Sequence, residues 1–343
     1  MSQFIQLHIL TSYAPSNLNR DDLGRPKTAK MGGFERLRIS SQSLKRNWRV
    51  SELFEEAMVG HIGIRTKRFG ITVFDAFIKA GVKEKSAKEW AIEIAGVFGK
   101  GKKDSVEIEQ LAHISPAEQD ATLTLVEVLA NENRAPTKDD LKLLKADKAS
   151  VDIALFGRML ASSPEFNIEA ACQVAPALSV HSIVVEDDFF TAVDDLNSKE
   201  ESGSSHIGES SFAAALFYSN ICINKTQLIE NLDGNEELAN KAIQALTEAA
   251  VKISPKGKQN SFASRAYASY VLAEKGEQQP RSLSVAFLNP VTDEDQAGAA
   301  IQALTRQVEN FDKVYGDCAD TRYSMNAIIG EGSLSELLEF VAQ

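Results

Sequence analysis

The sequence predicts an α+β protein, and three observations predict it. Phe4–Leu10 alternates apolar and polar side chains, residues 60–150 read as a block of amphipathic helices, and β-type patterning returns after residue 150. The 343 residues are 43% hydrophobic and 25% charged. That suffices for a large core and suggests about two domains, or one domain with a big insertion.

In Phe4–Leu10, Ile5, Leu7 and Ile9 fall on one face and Gln6 and His8 on the other, the two-residue period of a half-buried strand. Residues 11–37 are expected to form a long loop containing Gly32–Gly33. Ser40 or Ser41 is a good N-cap for a helix running to about Met58. Within the helical block, Ser86–Glu89 and Ser115–Glu118 have capping-box spacing, and Thr137 is placed to cap a further helix through Lys148. "VDIALFGRML" (151–160) and "FAAALFYSNICIN" (212–224) are predicted strands. Between them, 163–208 reads as an extended excursion holding the acidic "VVEDDFFTAVDDL" and the Gly/Ser-rich "ESGSSHIGESS". A helix over 236–252, strands at 261–273 and 283–289, and helices at 295–312 and 333–341 complete the chain. With the insertions set aside, the order is β-α-β-β-α-β, the ferredoxin-like pattern.

The formal net charge is −11, but it is unevenly spread. Residues 1–70 hold 12 Lys and Arg against 6 Asp and Glu, while the remaining 273 hold 25 against 42. A polyanion responds to the field within a Debye length of about 8–10 Å, so the N-terminal segment can bind phosphate although the whole chain is acidic. Its centre is "RISSQSLKRNWRV" (38–50). On the helix it predicts, Gln42, Lys45 and Arg49 share one face, with Leu44 and Trp48 as the opposing apolar stripe. Free N–H groups and the dipole at the helix start add to the attraction for phosphate.

Other patterns carry less. "GVFGKGKK" (96–103) approaches P-loop spacing, but Lys103 replaces the Ser/Thr and a helix precedes it, so it is expected to be a helix end and basic loop. Lys138, Lys142, Lys145 and Lys148 follow one helical track, either a solvated face or a cradle for a nucleic-acid backbone. Glu186, Asp187, Asp188, Asp194 and Asp195, with His181 and His206, match no ligand spacing, and no metal or other cofactor is expected. Cys172, Cys222 and Cys318 are expected to be small hydrophobes in a reducing cytoplasm. "MSQFIQLHIL" does not read as a secretory leader, and no run is long enough for a membrane span. Catalytic Ser/His/Asp, Cys/His and H-E-x-x-H arrangements are missing, as is the ribonucleoprotein motif of aromatic RNA platforms.

"SNLNRDD" (16–22), "RISSQSLKR" (38–46), "VDIALFGRM" (151–159), "FFTAVDDL" (189–196), "SSHIG" (204–208) and "KGKQNSFAS" (256–264) resemble the repeated backbone subunit (CasC type, RAMP superfamily) of the type I-E CRISPR surveillance complex, Cascade. The resemblance implies an RRM-like palm (1–59, a strand at 151–162, and 211–343 with C-terminal helices), helical fingers (60–150) and an extended hairpin-like thumb (163–210). It implies a non-catalytic cytoplasmic scaffold that stacks with further copies along crRNA, kinks the guide at intervals and presents it to target DNA. The large, small, crRNA-capping and crRNA-processing subunits would be its other partners. Arg20, Lys27, Ser40, Ser41, Gln42, Lys45, Arg46, Arg49, Lys258 and Gln259 would hold the guide. Arg158, Met159 and the thumb's Ile207 would sit at the kink, with Met159 and Ile207 as wedges. Lys142, Lys145 and Lys148 would face the DNA. Backbone subunits of type III effectors cut RNA with a loop aspartate, so Asp21 or Asp22 makes a metal-dependent ribonuclease the alternative. A structural protein that polymerises without RNA is a further alternative.

Overall fold

The computed structural model of the chain describes residues 2–144, 149–160, 163–192 and 206–343. In order, its elements begin β1 (Phe4–Ser16), β2 (Thr28–Met31), β3 (Phe34–Ile39), α1 (Ser41–Arg49), α2 (Glu52–Ala57), β4 (Ile64–Thr66), α3 (Phe69–Lys79) and α4 (Glu84–Gly96). There follow β5 (Ala112–Ile114), α5 (Pro116–Glu132), α6 (Val151–Phe156), β6 (Cys172–Val174), β7 (Ala177–Ser179), β8 (Glu186–Ala192) and β9 (His206–Asn224). The chain closes with α7 (Lys225–Asn231), α8 (Glu236–Lys252), α9 (Gln259–Phe262), β10 (Tyr270–Gly276), α10 (Gln296–Tyr315), β11 (Thr321–Asn326) and α11 (Leu334–Ala342). Two compact units result: residues 1–54, 174–222 and 243–343, and residues 55–173 and 223–242.

The first unit is built on a sheet ordered β11-β10-β1-β9-β7-β3-β2. β1 is not half-buried as its alternation predicts. Ile5, Leu7 and Ile9 are buried on one face, but Gln6 and His8 are buried on the other. Gln6 accepts a hydrogen bond from the Arg281 N–H, and His8 bonds Tyr218 and Glu274, so a second layer satisfies the polar face. That layer includes Leu283 and Phe287 with Ala300, Leu304 and Val308 of α10.

Several local expectations are corrected. The loop expected over 11–37 is largely strand: β1 continues to Ser16, and β2 pairs with β3 from Thr28↔Leu37 to Met31↔Phe34. Gly32 (φ +62°) and Gly33 (φ +87°) make the two-residue turn, which needs two positive-φ residues. The helix expected to reach Met58 breaks after Arg49. Ser51 donates to the Trp48 carbonyl (2.7 Å) and its hydroxyl accepts from Phe54 N (3.3 Å), ending one helix and starting the next. The strands expected at 261–273 and 283–289 begin later and not at all, respectively: α9 precedes β10, and Ser284–Phe287 is a 3₁₀ turn. The helices at 236–252, 295–312 and 333–341 are present as α8, α10 and α11. β8 and β9 form an antiparallel hairpin from Glu186↔Phe212 to Ala192↔His206. Asp194 and Asp195 lie outside the described residues.

In the second unit, α3, α4 and α5 enclose a core that includes Phe69, Phe77, Trp90, Ile94, Val126 and Leu129. The Ser115–Glu118 capping box is formed, whereas Ser86 lies inside α4. The strand expected at 151–160 is a helix over Val151–Phe156, with every residue from Val151 to Leu155 buried. A short run buried on every side, its one charged residue Asp152 included, reads equally as strand or helix. Over the described residues 137–144 the helix expected from Thr137 is instead a turn, in which Asp140 accepts from Thr137 and pairs with Arg134 at 2.6 Å; 145–148 lie outside the described residues. The 96–103 stretch ends α4 and enters a loop bridged by Gly101 and Ile108.

Candidate nucleic-acid interface

In the first unit, α1 is positioned from below by its apolar stripe and from its start by its cap. Leu44 and Trp48 are buried, and the Ser40 hydroxyl accepts from Ser43 N at 3.3 Å. Gln42 and Arg46 are exposed on this helix, and Ser41, Lys45 and Arg49 are partly exposed. No acidic residue lies in its first turn, so nothing on the helix opposes an anion there.

Asn19 ties the rest of the basic ledge to that helix start. Its side-chain oxygen accepts from Ser40 N (2.8 Å), and its carbonyl accepts from Lys27 N (2.8 Å). The Lys27 carbonyl in turn accepts from Arg38 N (2.8 Å), and Arg20 bridges to Pro26. Arg20 and Lys27 are therefore fixed beside the start of α1 by backbone bonds. Sequence reasoning did not single out Asn19, although it stands inside "SNLNRDD".

The segment 256–264 joins the same place from over 200 residues away. A side chain at Gly257 would overlap the carbonyls of Asn17 and Leu18, so the two backbones touch there. Lys258 follows in a left-handed conformation (φ +43°) and donates to the Ser210 hydroxyl at 2.7 Å. Gln259 accepts from the Ser264 hydroxyl at 3.0 Å. Leu18, Asn19, Arg20, Asp21, Asp22, Gly24 and Gly257 border an open depression of about 450 Å³. The arrangement offers cations, a helix start and an open trough, which suits a chain of phosphates.

One of the two loop aspartates has other work. Asp21 Oδ1 accepts from Leu23 N and Arg25 N, both at 2.9 Å, and so builds the turn. Asp22 is exposed. Among the described residues no three His, Cys, Asp or Glu side chains lie close enough to hold a metal ion. The acidic hairpin is anchored at its base, where Asp187 pairs with Arg25 (3.4 Å) and accepts from Ser211 (2.6 Å).

In the second unit the residues implied at the kink part company. Arg158 does not present its charge to solvent. It is buried, with Nη1 donating to both Glu118 oxygens at 2.9 and 2.8 Å. The next residue, Met159, is 85% exposed. Lys142 is exposed and pairs with Asp139 at 2.7 Å, while Lys145 and Lys148 lie outside the described residues. Ile207 belongs to the first unit, where its backbone pairs with Thr191 in the hairpin.

Solved structures similar to this chain include two subunits of CRISPR surveillance complexes. One, "CRISPR RNA-guided surveillance complex, pre-nicking", is 28% identical with a TM-score of 0.85, covering 99% of each chain. The other, "CRISPR RNA-guided surveillance complex", is 23% identical with a TM-score of 0.75, again over 99% of each chain, and shows the likeness of fold. No curated protein matches. The model of the CT1975-like protein family (Cas_CT1975) matches residues 5–334, nearly the whole chain, and the protein belongs to that family.

Proposed function

We propose that this protein is a guide-RNA-binding scaffold subunit of a CRISPR surveillance complex, of the type I-E Cascade kind, working in the cytoplasm without catalysing a reaction itself. Copies stack along a crRNA, hold it by its backbone, bend it at intervals and offer the bases between bends to target DNA. The observation that carries this is the meeting of three distant stretches, 16–22, 38–46 and 256–264, in one cationic ledge around Asn19, the start of α1 and Gly257. A guide of arbitrary sequence must be gripped through phosphates, and sequence is then read by base pairing. Lysine, arginine and helix-start N–H groups supply that grip without base selectivity.

The full-length match to chains of RNA-guided surveillance complexes supports the same reading. The ribonuclease alternative is not favoured, because Asp21 spends a carboxylate oxygen on turn N–H groups. Purification from cells expressing the guide array, followed by the A260/A280 ratio and sequencing of bound RNA, tests the proposal. Uniform guide-length RNA with the wild type and its loss in Lys45→Ala/Arg49→Ala is the expected outcome. RNA-free wild-type protein, or equal RNA in the variant, would overturn it.

A further inference from the structure

Leu23 stands in the open beside the phosphate ledge. At 81% it is, after Met159, the most exposed large apolar side chain among the described residues. A single exposed leucine is ordinary on a protein surface. What sets this one apart is the turn that carries it. Asp21 N donates to the Arg25 carbonyl at 2.9 Å, and Asp21 Oδ1 accepts from both Leu23 N and Arg25 N. The fully buried Asn17 donates from Nδ2 to the Gly24 carbonyl and to the Ser211 carbonyl of β9, both at 2.9 Å. The Arg20–Pro26 bridge closes the neck, and Arg25 pairs outward with Asp187 at 3.4 Å. A five-residue turn is thus held from three sides, with an apolar side chain at its tip.

The charges around the turn decide what the tip can meet. Asp22 and Gly24, on either side of Leu23, border the open depression of about 450 Å³. Asp21 borders it too, so two carboxylates stand on this rim and repel phosphate. Phosphates are drawn instead to Arg20, Lys27 and the start of α1, which the Asn19 bonds hold together. A strand gripped there turns its uncharged part toward the rim, and the uncharged, flat part of a nucleic acid is the base. Every base has such a face, so an apolar contact to it is tolerant of sequence.

We propose that Leu23 packs against the face of a guide base held on the ledge, and that Asp21 builds the turn that positions it. This rests on the reading of the chain as a guide-binding subunit. It adds a base contact to a grip made otherwise of phosphate contacts, and it gives the loop aspartate a part in binding rather than in cutting. Leucine is among the side chains that proteins place against base steps. Because the turn is already formed, little order has to be imposed when the strand arrives. An apolar side chain of a neighbouring subunit is the rival occupant. The base is favoured because the depression beside Leu23 is open and cationic on its far side.

Particles purified from cells that express a uridine-rich guide array and are fed 4-thiouridine test this, because the photoreactive sulfur sits on the base and not on the backbone. Irradiation should leave a uridine adduct on Leu23, localised by tandem mass spectrometry and read per bound guide. Leu23→Met should keep an adduct at this position and Leu23→Ser should lose it. Val314→Ser, which removes a 71% exposed side chain from α10, is the control and should keep the wild-type yield. Wild-type adducts confined to Arg20, Lys27 or other residues overturn the contact, and so does an equal loss in Val314→Ser. Asp21→Ala retains Leu23 but unties its turn, so the yield should fall; an undiminished yield overturns the role given to Asp21. The A260/A280 ratio of the same preparations keeps the two proposals apart. Wild-type particles without guide-length RNA remove the guide reading, whereas guide-length RNA without an adduct on Leu23 removes only the base contact.

Discussion

Arg158 and Glu118 form a two-pronged ion pair inside the second unit, Nη1 standing 2.9 and 2.8 Å from the two carboxylate oxygens with both side chains buried. Glu118 also accepts from Ser115 N (2.9 Å) as half of the capping box, so the pair fastens the start of α5 to the segment after α6. Removing one member leaves a buried charge uncompensated, which costs about 3–5 kcal/mol. Arg158→Ala should therefore lower the urea midpoint sharply, and adding Glu118→Ala should recover part of the loss. An Arg158→Ala chain of wild-type stability that binds RNA weakly would return this residue to the guide.

Met159 follows Arg158 in sequence but shares none of its burial, and the two should separate cleanly on mutation. Truncating an exposed side chain shifts stability by about 0.5 kcal/mol or less. Met159→Ala should thus keep the wild-type melting temperature while changing the nuclease-protection pattern of the bound RNA, if its thioether wedges bases. An unchanged footprint would strip Met159 of that role.

How far the sequence foretold these features depended on whether a signal was local. The Ser115 capping box, the helices at 236–252 and 333–341 and the basic face of α1 are written in spacings of three and four residues, and the structure has them. Val151–Phe156 was misjudged because complete burial erases periodicity. The pairing of Arg158 was not legible because its partner lies 40 residues away, and no local pattern tells a paired arginine from a free one. Asn19 escaped notice for a similar reason: its partner Ser40 is 21 residues on, and only the fold brings them together. The basic ledge could be read as composition, but its assembly from three stretches could not.

The first unit should lose stability as the solution is acidified, and the sign follows from two groups. Burial lowers the pKa of His8, with the hydrogen bond to Glu274 opposing it. Burial would raise the pKa of Glu274, but hydrogen bonds from His8 and Arg281, with Arg322 beside them, hold it below the usual carboxylate range. The unfolded chain therefore takes up protons first at both sites. Stability from neutral His8 is complete above 6.5 and is lost as pH falls below it; that from ionised Glu274 is present above 4.5 and is lost as pH falls further. One such group contributes a slope of at most about 1.4 kcal/mol per pH unit. Urea midpoints at pH 7.5, 6.5 and 5.5 should decline in the wild type and flatten in His8→Gln. A wild-type midpoint that does not move over this range would refute the assignment.

Gly257 offers the sharpest test of whether the ledge is one mechanical piece. A methyl group there would overlap the carbonyls of Asn17 and Leu18, and backbone yields less readily than a side chain. Gly24 is the control: it has a positive φ (+83°) but open space around the position of a Cβ. Gly24→Ala incurs backbone strain alone, about 1 kcal/mol, and leaves the contact with the 256–264 segment intact. Gly257→Ala must push the segment off the Asn17–Leu18 backbone just after β1, at about 1–3 kcal/mol for an overpacked contact. Because Asn19 follows directly and holds both Lys27 and the N-cap of α1, that shift should reach the cations. RNA retention should fall in Gly257→Ala and hold in Gly24→Ala when the two are compared at matched folded fraction. Equal retention in both would mean that the loops touch without acting together.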